Sequence, residues 1–308
     1  MLTPNRILLA TDFSASAEAA LYYAAAIARQ SQASLLVMHV IETGLSTFRP
    51  WTDIFRSSEV LAERETMSLS RLETFLQHQA LQGLSTERVV QYGNAIDHIT
   101  DMASHADLVV IGTGSPEVSV GWTDGKVARH IAHSSPVPVL LVPVNGGTAS
   151  LPAATDAGLA FQNVLLAINL AGYAPQAVHM AMDLAMDCKA SLLALQVVEP
   201  GKASTYPVDA GEGLHHNTDG LKILLEKRLA EIVPDDHEAP PRQRLVQVGQ
   251  AVECLLHHLK THRTDLVVMS AHRYGALRKF FTLSTVDAIL ARALCPLLAV
   301  PFPLFPKP

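Results

Sequence analysis

Short unbroken apolar runs alternate along this chain with longer stretches whose apolar residues recur at helical spacing. In the first half the runs are RILLAT (6–11), SLLVMHVIE (34–42), RVVQYG (88–93), DLVVIG (107–112) and PVLLVP (138–143). Runs of that length without polar interruption are what parallel strands covered on both faces look like. Between them, SAEAALYYAAAIARQS (16–31) spaces its apolar residues for one helical face and carries an acid, Glu18, in its first turn. Further helical stretches are expected around 57–80, near 95–104 and after Gly125. Strands joined by helices predict an α/β fold: a doubly wound, parallel, five-stranded sheet, with right-handed crossovers placing helices on both faces.

The pattern occurs twice. Residues 7–42 lie over 164–199 without a gap at an offset of 157, and 13 of those 36 positions are identical. DLVVIG (107–112) pairs with DLVVMS (265–270) and PVLLVP (138–143) with PLLAVP (296–301), both at an offset of 158. GNA (93–95) faces GQA (249–251), whereas the middles of the halves, 43–85 and 200–243, diverge and are where a partner-specific surface is expected. Such self-similarity marks a duplication. The stretch NGGTASLPAATDAGLA (145–160) has almost no charge and reads as a linker. The expected organisation is a first domain over 1–144, a linker over 145–161 and a second domain over 162–308.

Composition narrows the function. The chain has 308 residues, 49% of them hydrophobic, and a net charge of −6 from 29 acidic and 23 basic residues. There is no basic field to draw nucleic acid or an anionic membrane. The N-terminus lacks a signal-peptide pattern, and no apolar run is long enough for a membrane span. Three cysteines, Cys188, Cys254 and Cys295, form no CxxC pair and read as reduced thiols; a cytoplasmic location is expected. His258 and His262 are spaced to share a helix face, but no further ligand follows at a metal-binding spacing, so no metal site is expected. No nucleophile motif assigns a catalytic base.

On doubly wound sheets ligands bind at the carboxyl ends of the strands. Asp12, after the first strand, could accept hydrogen bonds from a base or ribose, or serve the turn into the next helix, for which Ser14 and Ser16 are candidate caps. The loop GTGSPEVSVGWTDGK (112–126) offers Gly112, Gly114, Gly121 and Gly125, then a helix start bearing Lys126, where backbone N–H groups and the helix dipole would meet a phosphate. The P-loop spacing is absent. Glu117 and Asp124 in the same loop would repel a polyphosphate.

ILLATDFSASAEAAL, HVIE and a glycine loop followed by PVPVLLVP together resemble the universal stress protein family, over essentially the whole chain as two tandem copies. The resemblance implies strand order 3-2-1-4-5, pairing through the last strand (here an internal pseudo-dimer of the two halves), and a role in stress survival without a defined reaction beyond slow ATP hydrolysis. Some members of the family bind ATP. Their adenine lies near the aspartate after strand one and the valine backbone of HV, and their phosphates on a G-x2-G-x9-G-[ST] loop. In the first domain Asp12, Val40, Gly112 and Gly125 match. Ser115 stands at the second glycine position with Gly114 beside it, Lys126 replaces the final hydroxyl, and Pro116 stiffens the loop. In the second domain Asn169 replaces the aspartate, Ala171 the serine of TDFS, and Ser270, Arg273 and Leu283 the glycines. Ser284 keeps the hydroxyl but also suits a helix cap with Asp287, and Arg278 and Lys279 add charge without a cradle. The implied ATP site is therefore Asp12, Val40, Gly112, Gly114, Ser115, Gly125 and Lys126, with no cofactor in domain 2. The expected function is a non-catalytic stress regulator or sensor, further self-association being open. The alternative is a scaffold or small-molecule carrier that binds no nucleotide.

Overall fold

The computed structural model describes residues 3–42, 57–114, 125–145, 148–149, 154–155, 158–172, 174–199, 218–236, 239–271, 285–292 and 295–302. The chain divides into two compact units, Thr3–Leu159 and Ala160–Pro308.

The first unit runs β1 (Arg6–Ala10), α1 (Ala15–Ser31), β2 (Ser34–Ile41), α2 (Ser57–Leu76), β3 (Thr86–Tyr92), α3 (Ala95–Ala103), β4 (Leu108–Gly112), α4 (Lys126–Ser134) and β5 (Val139–Val142). All the pairings among these strands are parallel: β3 with β2, β2 with β1, β1 with β4 and β4 with β5. The register runs Leu9↔Val37 on one side of β1 and Leu9↔Val110 on the other. The central strands are buried over almost their whole length, as continuous apolar runs require, whereas β3 at the edge is largely open to solvent.

The second unit repeats this plan with β10 (Asn163–Ile168), α5 (Pro175–Cys188), β11 (Ser191–Val198), α6 (Thr218–Ile232), β12 (Arg242–Val248), α7 (Ala251–Thr261), β13 (Leu266–Ala271), α8 (Thr285–Leu290) and β14 (Leu297–Pro301). Its parallel pairings are β12 with β11, β11 with β10, β10 with β13 and β13 with β14.

The repeat extends to contacts that the sequence pattern alone did not single out. Asp107 Oδ2 accepts the backbone N–H of Asn5 (2.8 Å) and Arg6 (3.0 Å), clamping the start of β1. Asp265 Oδ2 does the same for Gln162 and Asn163, both at 2.9 Å, at the start of β10. Gln32 and Lys189 end the first helix of each unit at φ 57° and 53°, in the left-handed conformation that closes a helix.

Four short strands are described between the two sets. β6 (Val144–Asn145) pairs antiparallel with β7 (Thr148–Ala149), and β8 (Ala154–Thr155) with β9 (Gly158–Leu159). β9 packs on α1, with Leu159 buried, so this stretch groups with the first unit.

Candidate functional site

In the first unit β1 ends between β2 and β4, which leave it on opposite sides; this is the crevice such a sheet offers a ligand. Local hydrogen bonding shapes the turn that follows. Asp12 Oδ1 accepts the backbone N–H of Ser14 (3.0 Å) and its hydroxyl (2.5 Å). Ser14 caps α1 through Ala17 N–H (3.3 Å), and its Oγ lies 2.9 Å from Ser16 Oγ. Asp12 is thus a turn-forming carboxylate, with Oδ2 outside that turn. Asn169 Oδ1 accepts Ala171 N–H (3.1 Å) in the second unit, so an amide makes the same bond to the residue two positions on. The chain there enters a 3-10 turn (Leu170–Gly172) instead of passing through a positive φ as at Phe13.

The turn stops the β1–β2 ladder one rung early. Thr11 N–H donates to Met38 O (2.9 Å) from the β1 side, while Gly93 N–H donates to Ile41 O (3.1 Å) from the β3 side. Carbonyls alternate along a strand, so Val40 C=O is directed to the β1 side, past the end of β1. The next N–H in line there is that of Phe13. It donates instead to Thr11 Oγ1 (3.1 Å) as the chain turns through φ 62°. The result is a notch whose floor is the Val40 carbonyl.

Phe13 carries an aromatic cluster beside the notch. Its ring centroid lies 4.4 Å from that of His39 and 5.9 Å, edge-on, from Phe75 of α2, and the Arg71 guanidinium sits 5.2 Å above its ring. His39 is buried and its Nδ1 donates to Thr11 O (2.8 Å). Burial lowers its pKa, so the imidazole is held neutral. Sequence reasoning missed Phe13, His39, Arg71 and Phe75; the signal available was only the aromatic inside TDFS and the histidine of HVIE.

On the side where phosphate was expected, the two glycines with described surroundings act structurally. A Cβ on Gly112 would lie 2.4 Å from Ser16 C and 2.6 Å from Ser16 O, so β4 meets the start of α1 backbone to backbone. Gly125 sits at φ 71° as the cap of α4, and a Cβ there would come 2.8 Å from Thr113 O. Gly114, at φ 79°, donates its N–H to Ser16 Oγ (3.2 Å). Lys126 is exposed at the first position of α4, whose amino end has no side-chain cap. Ser115, Pro116, Glu117, Gly121 and Asp124 lie outside the described residues, as do Arg273, Arg278, Lys279, Leu283 and Ser284 of the second unit.

The second unit departs from the first in its turn and its notch. With Ala171 in place of Ser14, no side chain caps at that position. The helix begins three positions later, at Pro175, on an N-cap, Ala174, that has no side-chain bond. A 3-10 turn, Leu170–Gly172, stands before it, and Ser270 is the residue at the place that matches Gly112. In the notch, Leu170 N–H donates to Gln196 Oε1 (2.7 Å) and Gln196 Nε2 donates to Val197 O (2.6 Å). Elsewhere in this unit the rings of His258 and His262 stack at 4.1 Å and 8°. Among the described residues no group of three or more His, Cys, Asp or Glu is placed to hold a metal ion, and no helix is long and apolar enough to cross a membrane.

Two repeated parallel α/β units, each with its crevice at the carboxyl end of the first strand, define the class as tandem doubly wound sheet proteins. The family model described as "Universal stress protein family" matches residues 4–143 and again 160–301. The chain belongs to the universal stress protein family, as two tandem copies of its domain. Its fold is similar to that of a universal stress protein from Archaeoglobus fulgidus DSM 4304, at TM-score 0.66 and 16% identity over 97% of this chain and 99% of that one. It is also similar to a functionally unknown protein from Pseudomonas aeruginosa PAO1, at TM-score 0.59 and 15% identity over 97% and 93%. The universal stress protein UspA from Lactobacillus plantarum aligns with 46% of this chain over 97% of its own length, at 21% identity and TM-score 0.38. A search of curated proteins found no match.

Proposed function

We propose that the first unit binds an adenine nucleotide at the notch beyond β1, and that the protein acts as a stress regulator or sensor through that binding rather than through a reaction. The observation that carries this reading is the Val40 carbonyl, directed into the crevice where the β1–β2 ladder stops. An exocyclic amino group of a base would donate to it. Asp12 Oδ2, outside its own turn, would accept from the ribose or base. The amino end of α4, with Gly125 and Lys126, would face the phosphates. Gly112 belongs to this site by holding α1 against β4, not by touching phosphate.

A second reading, a scaffold or small-molecule carrier without nucleotide, draws on two contacts. Gly114 N–H and Asp12 Oδ1 are both engaged within the protein. Calorimetry separates the readings. ATP titrated into the full chain should bind, and Asp12→Asn should weaken binding by about tenfold to a hundredfold. That range is the worth of a hydrogen bond to a charged group, about 1.5–3 kcal/mol. The melting temperature should stay put, because an asparagine at position 12 keeps an Oδ1 to accept Ser14 N–H, as Asn169 Oδ1 accepts Ala171 N–H. A wild-type chain silent to ATP would leave the carrier reading standing.

A further inference from the structure

The two units treat the same break in their ladders differently, and a buried side chain makes the difference. In the first unit, position 39 is a histidine that turns back to Thr11 O (2.8 Å). At the matching position in the second unit, Gln196 is almost wholly buried, with 1% of its surface exposed. Its carboxamide bridges the gap between the strands. Leu170, the counterpart of Phe13, donates its N–H to Oε1 at 2.7 Å, and Nε2 donates to the carbonyl of Val197, the counterpart of Val40, at 2.6 Å. Gly249 N–H donates to Val198 O (3.0 Å) from the β12 side, so Val197 C=O is directed to the β10 side, as Val40 C=O is to the β1 side.

We propose that Gln196 is a built-in ligand: its amide fills the notch of the second unit and so restricts ligand binding to the first. A primary amide offers one acceptor beside one donor, the same pair that an adenine presents along its N1 and N6 edge. A notch that satisfies both partners internally gains nothing by admitting such an edge, because the exchange would strand a buried amide. Gln196 is thus the residue that determines which unit takes ligand. This inference rests on the reading of the Val40 notch as the base site.

The test uses the full chain and adenosine, which makes no demand on a phosphate cradle. Stoichiometry is measured by calorimetry for wild type and Gln196→Ala. The expected result is one additional equivalent of adenosine bound by the variant relative to wild type. That increment is independent of the reading for the first unit. If wild type binds none and the variant binds one, the first-unit reading fails, and what stands is the exclusion of ligand from the second unit by Gln196. If the variant binds no more than wild type, the proposal is overturned whatever wild type does. Should the variant not fold, hydrogen exchange in wild type decides. Slow exchange of the Gln196 Nε2 protons and of Leu170 N–H supports the bridge, and exchange at the rate of an exposed amide refutes it.

Discussion

His39 couples the site to pH at the level of a single residue. Burial lowers its pKa below the ordinary histidine value of 6.5. The folded chain therefore stays unprotonated at this residue where the unfolded chain binds a proton. Its contribution to stability is present in full above about pH 6.5 and is lost as the pH falls below that toward its depressed folded value. The predicted outcome is a melting temperature that drops between about pH 7 and 5, with a shallower drop in His39→Gln, the residue that the second unit carries. An unchanged slope would mean that His39 is protonated as readily in the fold as outside it. His258, also lowered, first by burial and then by His262 and His257, supplies a remaining slope. The histidine was legible in HVIE as a motif letter, but not as a buried imidazole under Phe13, because that contact depends on Phe13 at φ 62° and on α2 packing from a distant stretch of chain.

At the scale of elements, one cap decides several features. Ser14 starts α1 at Ala15, and the early turn it permits forces a glycine at 112. Where Ala171 removes the cap, α5 starts at Pro175, and β13 carries Ser270 at the position that matches Gly112. Gly112→Ala should therefore cost about 1–3 kcal/mol, the usual effect of forcing extra volume into tight packing, and Ser270→Ala should fall within about 0.5 kcal/mol. Urea denaturation of both variants checks this; equal losses would mean that the close approach at Ser16 yields easily. The strands and helices were readable from their periodicity, as was the duplication. The short strand pairs within 144–159 were not, since a Gly/Ala/Thr composition carries no strand periodicity. Nor was the place of Leu159, an apolar residue whose burial beside α1 no local pattern announces.

For the whole molecule, duplication has left two units of one topology whose notches have parted in chemistry. Asp12 and Asn169 both accept the N–H two residues on, so the change that first catches the eye in the sequence keeps that bond. The change from His39 to Gln196 looks conservative as text but closes the ladder break, because only the glutamine reaches both Leu170 N–H and Val197 O. The most direct measurement is an amide-resolved NMR titration of the full chain with ATP. Shifts should gather at Phe13, Val40, Gly114 and Lys126, with Leu170 and Val197 unmoved. Shifts at Leu170 and Val197, or none anywhere, would contradict a single nucleotide site in the first unit.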